Sequence, residues 1–130
     1  MKIKLLACLF VFSTLPSLAM AEDSVAFANC MDKSGGVTSA MIDCIDAELK
    51  HQDAQLNKAY KRLQSAISSE RKKQLLAAQR AWIKFRDANC GFYFDPNGGS
   101  IARVNAADCM RTMTEKRAAE LVKLYESENP

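Results

Sequence analysis

The sequence predicts an all-α protein, a small antiparallel three-helix bundle stabilised by two disulfides. Three observations carry this expectation. Neither glycine nor proline occurs from Val37 to Cys90, or again from Ser100 to Asn129. Inside those blocks, apolar residues recur at steps of three, four and seven, the period of a helix with one buried face. Finally, four cysteines remain in a short chain once an export signal is removed, an even number that suits a disulfide framework.

The elements follow in order. Residues 1–21, "MKIKLLACLFVFSTLPSLAMA", read as a cleaved export signal: Lys2 and Lys4, a short apolar core, then Ala19-Met20-Ala21 as the cleavage site. The core is too short to span a bilayer. Too little hydrophobic sequence precedes Cys8 for "LLAC" to work as a lipobox. Residues 22–130 then form one domain, with no later segment apolar enough for a membrane helix. The first predicted helix begins near Thr38 or Ser39 and carries Met41, Ile45, Leu49, Leu56, Tyr60, Leu63 and Ile67 on one stripe. "ISSE" interrupts that stripe, and Ser69 is placed to cap a second helix from about Glu70. This helix turns Leu75, Leu76, Ala78, Trp82, Ile83 and Phe85 inward and ends at Cys90, with Gly91 at the left-handed position after it. "GFYFDPNGG" reads as loop, its first residues briefly extended. A third helix starts near Ser100 or Asn105, with Met110, Met113, Leu121, Leu124 and Tyr125 on one side.

Charge and cysteine content narrow the function. The full chain of 130 residues has 18 Lys+Arg, 15 Asp+Glu and a formal net charge of +3. Two lysines and no acids leave with the signal, so the mature chain carries +1. That is no basis for nucleic-acid binding, which needs a concentrated basic surface. The four mature cysteines, Cys30, Cys44, Cys90 and Cys109, allow three pairings. Cys30–Cys44 with Cys90–Cys109 is favoured, because each bridge closes a local loop. No CxxC is present and His51 is the sole histidine, so neither a metal nor another cofactor is expected.

Polar residues on the inner arc of the second helix raise a separate question. Gln79 and Arg86 fall among Leu75, Trp82 and Ile83, whereas Asp87 falls outside. A guanidinium placed there needs acceptors. Folding the first two helices antiparallel about Ser68-Ser69 sets Arg86 near Glu48 and Gln52. An Arg86–Glu48 ion pair is therefore predicted, with Gln52 or nearby carbonyls taking the remaining donors and Gln79 bonding the Tyr60 hydroxyl. Arg117 poses the same problem on the third helix, with no partner named by the sequence. These groups are read as a structural polar core that fixes helix register, in preference to a ligand site.

Taken in order, a cysteine, "TSAMIDC", "DAQLNKAYKRL", "QRAWIKFRDANC", "GGS", a second-bridge cysteine and "TEKRAAEL" resemble the LprI-type lysozyme inhibitor family. The resemblance covers Cys30 to about Leu121. It implies a secreted or envelope-associated helical domain and inhibition of lysozyme.

Three functions are then weighed. The first is a periplasmic or secreted inhibitor of a lysozyme-like muramidase, whose cleft holds two acidic catalytic groups. A braced loop from Gly91 to Ser100 would fill that cleft, with Tyr93, Asp95, Asn97, Ser100 and Arg103 as the partner-binding residues beside Phe92 and Phe94. At least one of those phenylalanines is expected to cap the open end of the bundle. The second is a cell-envelope interaction module with another protein target and no effect on lysozyme. An enzyme is disfavoured: His51 lies on the polar side of its helix, no paired carboxylates are apparent, and Ser69 and Ser100 are accounted for as caps. The sequence leaves the oligomeric state open.

Overall fold

The computed structural model describes residues 24–129; the signal segment 1–21 and its cleavage position lie outside them. The described chain is helical, with four helices instead of three: α1 (Val25–Lys33), α2 (Thr38–Ala66), α3 (Ser69–Phe92) and α4 (Gly99–Glu128). The additional helix, α1, is short. Ser24 caps it by accepting the Phe27 N–H at 3.1 Å, and Phe27 is its one buried residue. It ends where Gly35 and Gly36 adopt φ of 58° and 79°, a region that side chains with a Cβ avoid. The Cys30–Cys44 disulfide ties it to α2. A nine-residue helix with a single buried side chain would be marginal alone, so the bridge and the α2 surface hold it in place.

Helix boundaries shift slightly from expectation. Ile67 is extended and Ser68, not Ser69, caps α3, its hydroxyl accepting the Arg71 N–H. Gly91 does not terminate α3, and its φ is not positive; the helix continues through Phe92. It closes with Tyr93 N–H to Cys90 C=O and Phe94 N–H to Gly91 C=O, so the start of "GFYF" is helical and not extended.

Topology departs further. α2 packs along its length against α4, not against α3. Ile45 and Val104 share one apolar cluster and Leu63 and Leu121 the other, so α2 and α4 run parallel, with α3 as the return stroke. α3 is antiparallel to α4: Arg71 reaches Glu128 at one end, and Cys90 joins Cys109 at the other. α3 meets α2 chiefly through Leu75 and Trp82, which join the cluster of Leu56, Ala59, Leu63, Ala118 and Leu121. Leu76, Ala78, Ile83 and Phe85, expected inside, are exposed, as is Leu124 on α4. Of the three possible cystine pairings, the structure contains Cys30–Cys44 and Cys90–Cys109.

Candidate partner-binding site

The polar core comes first, because it carries the loop. Arg86 does not pair with Glu48. Its Nε and Nη2 donate to Asp87 Oδ1 at 3.0 and 2.9 Å, and its Nη1 donates to Thr114 Oγ1 at 3.2 Å. The cause is the topology: α3 leans on α4, so the residue opposite Arg86 belongs to α4. Glu48 instead faces α1, accepting from the Ser24 hydroxyl and from Gln52 Nε2, both at 2.7 Å. Gln52 therefore serves Glu48 and not Arg86. Gln79 bonds Arg117 and not Tyr60: Arg117 Nε donates to Gln79 Oε1 at 3.1 Å, and its Nη1 donates to Glu120 at 2.7 Å. The Tyr60 hydroxyl is buried without a hydrogen-bond partner among the described residues.

Trp82 stands between the two guanidiniums, with Arg86 at 5.1 Å and Arg117 at 5.9 Å from its ring. The α3–α4 seam is thus a chain of Gln79, Arg117, Trp82, Arg86 and Thr114, closed at its end by the Cys90–Cys109 bridge. Met113 Sδ lies 3.6 Å from Cys90 Sγ, and Asn89 Nδ2 lies 3.4 Å from that thioether. Sequence reasoning missed another buried charge on α4. The Arg111 guanidinium lies 4.4 Å from the Phe27 ring centroid and pairs with Asp108 and Glu115 at 2.7 and 3.2 Å. The spacing of Asp108, Arg111 and Glu115 at i, i+3 and i+7 was the available signal.

Directly beyond this closed end lies the α3–α4 loop. Cys90 at its root is buried. Asp95 organises the turn: its carboxylate accepts the Asn97 N–H at 2.8 Å, and its carbonyl accepts the Gly98 N–H at 3.0 Å. A Cβ on Gly98 would sit 2.9 Å from Ala102 Cβ and 3.1 Å from Asp95 Cβ, so the turn packs tightly onto the first turn of α4. Ser100 is not the cap; Gly98 holds the N-cap position with no side-chain bond, and Ser100 is exposed in the first turn of α4. Arg103 is exposed one turn later. The loop's aromatic side chains project into solvent. Phe92 is 87% exposed, Phe94 51% and Tyr93 49%, so neither phenylalanine caps the bundle. The rings of Phe92 and Tyr93 meet edge to face at 6.2 Å. Beside the loop lies an open depression of about 580 Å³, lined by Tyr93, Asn89, Asn105, Asp108, Thr112 and Lys116.

This arrangement can present aromatic surface and hydrogen-bonding groups of both charge signs from a tethered loop. A further concavity, about 410 Å³ beside α1, includes Glu48 and His51. His51 is exposed, and both Glu48 oxygens are engaged by Ser24 and Gln52, so the pair does not form an acid–base couple. All four described cysteines lie in disulfides and offer no thiolate. Among the described residues, no group of three or more His, Cys, Asp or Glu side chains is placed to hold a metal ion. No helix there is long and apolar enough to cross a membrane.

A family model described as "Lysozyme inhibitor LprI" matches residues 30–121. An uncharacterized protein of Rhizobium meliloti is 35% identical over 98 residues, covering 65% of this chain and 70% of that protein. No solved structure matches.

Proposed function

The chain belongs to the LprI lysozyme inhibitor family, and we propose that it is an exported protein that blocks a lysozyme-like muramidase by seating its α3–α4 loop in the enzyme's cleft. Residues 22–130 would form the working domain after removal of the signal, in the periplasm or outside the cell. Two disulfides in so small a domain suit an oxidising compartment.

The observation that carries the reading is an aromatic loop held in an exposed position. Tyr93, Phe94, Asp95 and Asn97 stand on a turn rooted by Cys90–Cys109 and fastened by the Asp95 bonds. Bracing lowers the ordering cost of binding, and aromatics and arginine are favoured anchor types. In the complex, Tyr93 and Phe94 fill the cleft, Asn97 and Ser100 hydrogen-bond its walls, and Arg103 lies toward its catalytic carboxylates.

The test is muramidase turnover with the purified mature chain. Inhibition is expected, and it should fall at least tenfold in Tyr93→Ala/Asn97→Ala while the helical circular dichroism signal stays unchanged. Unchanged turnover at a large molar excess would end this reading. One observation favours a second reading, an envelope interaction module with another target. At a net charge of +1, the mature chain gains no electrostatic steering toward strongly basic animal-type lysozymes. Retention of a different envelope protein, with no effect on turnover, would select it.

A further inference from the structure

Between α2 and α3 the bundle leaves a groove. α3 packs on α4 and touches α2 at few positions, so α2 and α3 stand apart over a concavity of about 280 Å³. Its walls are apolar: Leu56 from α2, with Leu76, Trp82 and Ile83 from α3. Leu76 and Ile83, which a close α2–α3 pair would bury, are 42% and 40% exposed along it.

Set among those walls are hydrogen-bond donors that the bundle does not use. Gln79 lines the groove and is only 8% exposed. Arg117 Nε holds its Oε1 at 3.1 Å, which fixes the amide, and its Nε2 donates to nothing among the described residues. A donor so deeply placed is costly to leave without an acceptor, and turning the amide over would break the Arg117 bond. The exposed guanidinium of Arg80, the next residue, makes no ion pair or hydrogen bond among the described residues. The Tyr60 hydroxyl, in the α2 wall, is buried and also lacks a partner there. Arg86 adds a second cation to the lining. Asp53 is its one acid, exposed and already accepting Asn57 Nδ2 at 3.1 Å.

We infer that this groove binds a small organic carboxylate with an apolar body. A carboxylate only accepts hydrogen bonds, which is what unspent donors require. One of its oxygens takes the Gln79 amide N–H and the other the Arg80 guanidinium, a charge-assisted contact of the stronger kind. The apolar body lies along Leu76, Ile83 and the Trp82 ring, the usual division of a small-molecule site into apolar walls and a few oriented polar groups. A cationic ligand would meet two guanidiniums. The groove is separate from the α3–α4 loop, so this inference does not rest on the muramidase reading.

Trp82 is the chain's only tryptophan and lines the groove, so its fluorescence reports occupancy. Titrating the mature chain with phenylacetate should give a saturable change with a Kd of about 1 mM or tighter. Acetate, which lacks the apolar body, and phenylacetamide, which lacks the charge, should each bind about tenfold more weakly or not at all. Gln79→Glu keeps an oxygen for Arg117 but turns the buried donor into a second carboxylate, and should weaken phenylacetate by about tenfold or more. Arg80→Gln, at an exposed position, should weaken it about fivefold with the circular dichroism signal unchanged. A response that does not saturate by about 10 mM phenylacetate overturns the inference. Equal affinity for phenylacetamide overturns it too, as does unaltered binding by the folded Arg80→Gln or Gln79→Glu chain.

Discussion

The two sides of α4 are built on different physics. Toward α2 it presents Val104, Ala118 and Leu121, which meet Ile45, Leu56, Ala59 and Leu63 in a mainly apolar seam. Toward α3 it presents Met113, Thr114 and Arg117, which meet Asn89, Cys90, Arg86 and Gln79. The first seam draws on removal of apolar surface from water, which is non-directional and scales with area. The second draws on directed hydrogen bonds, whose net contribution is small when made and whose loss is costly when one partner is left buried. Only Leu75, Gln79 and Cys90 of α3 are buried, so it is the lightly packed arm of the molecule. It is also the arm that carries the exposed loop.

That contrast can be broken from either side. The largest effect is expected in the apolar seam. Leu121 has no exposed surface, and Leu121→Ala should destabilise the domain by about 4 kcal/mol in urea unfolding. Next comes the clasp at the end of the other seam. Replacing Cys90 and Cys109 together by alanine opens a closure of 19 residues and should cost about 3 kcal/mol. Inhibition should fall as well, since the loop loses its root. Arg117→Ala, which leaves the Gln79 amide without its donor, should cost about 2 kcal/mol by the same measurement. The smallest change has the opposite sign. Tyr60→Phe removes a buried hydroxyl that makes no bond among the described residues, and should leave stability unchanged or raise it by up to about 1 kcal/mol.

The difference between the seams also explains what the sequence could reveal. The α2 stripe was legible because Ile45, Leu56 and Leu63 repeat at a helical period and are all buried. Cys30, Cys44, Cys90 and Cys109 were legible as local bridges, though spacing alone left other pairings open. The neighbour of α3 was not legible. A helical wheel shows which face is apolar, but not which helix that face will meet. Pairing α3 with α2 by simple reversal at Ser68-Ser69 led to Glu48 as the partner of Arg86, whereas α4 supplies Thr114. Leu76, Ile83 and Phe85 misled for a related reason. α3 has apolar residues on more than one face, and only the arc with Leu75 and Trp82 joins the core. α1 escaped because its nine residues contain one buried side chain, although the Ser24 cap and the Gly35-Gly36 stop both mark it. Gly91 and Phe92 close α3 and Ser100 lies in the first turn of α4, so within the candidate site only the turn at Asp95 to Gly98 was legible from "GFYFDPNGG". The full exposure of Phe92 was not, since a phenylalanine beside a disulfide is more often buried.

Native-state hydrogen exchange on the mature chain, oxidised and after reduction of Cys90–Cys109, tests the difference between the seams most directly. Amides in the middle of α2, around Leu56 to Leu63, should open only with global unfolding. Those of α3 from Gln79 to Asn89 should open at lower free energy, and the gap should widen when the bridge is reduced. Equal protection in α2 and α3, unchanged by reduction, would contradict a rigid apolar pair bearing a polar, cystine-held arm.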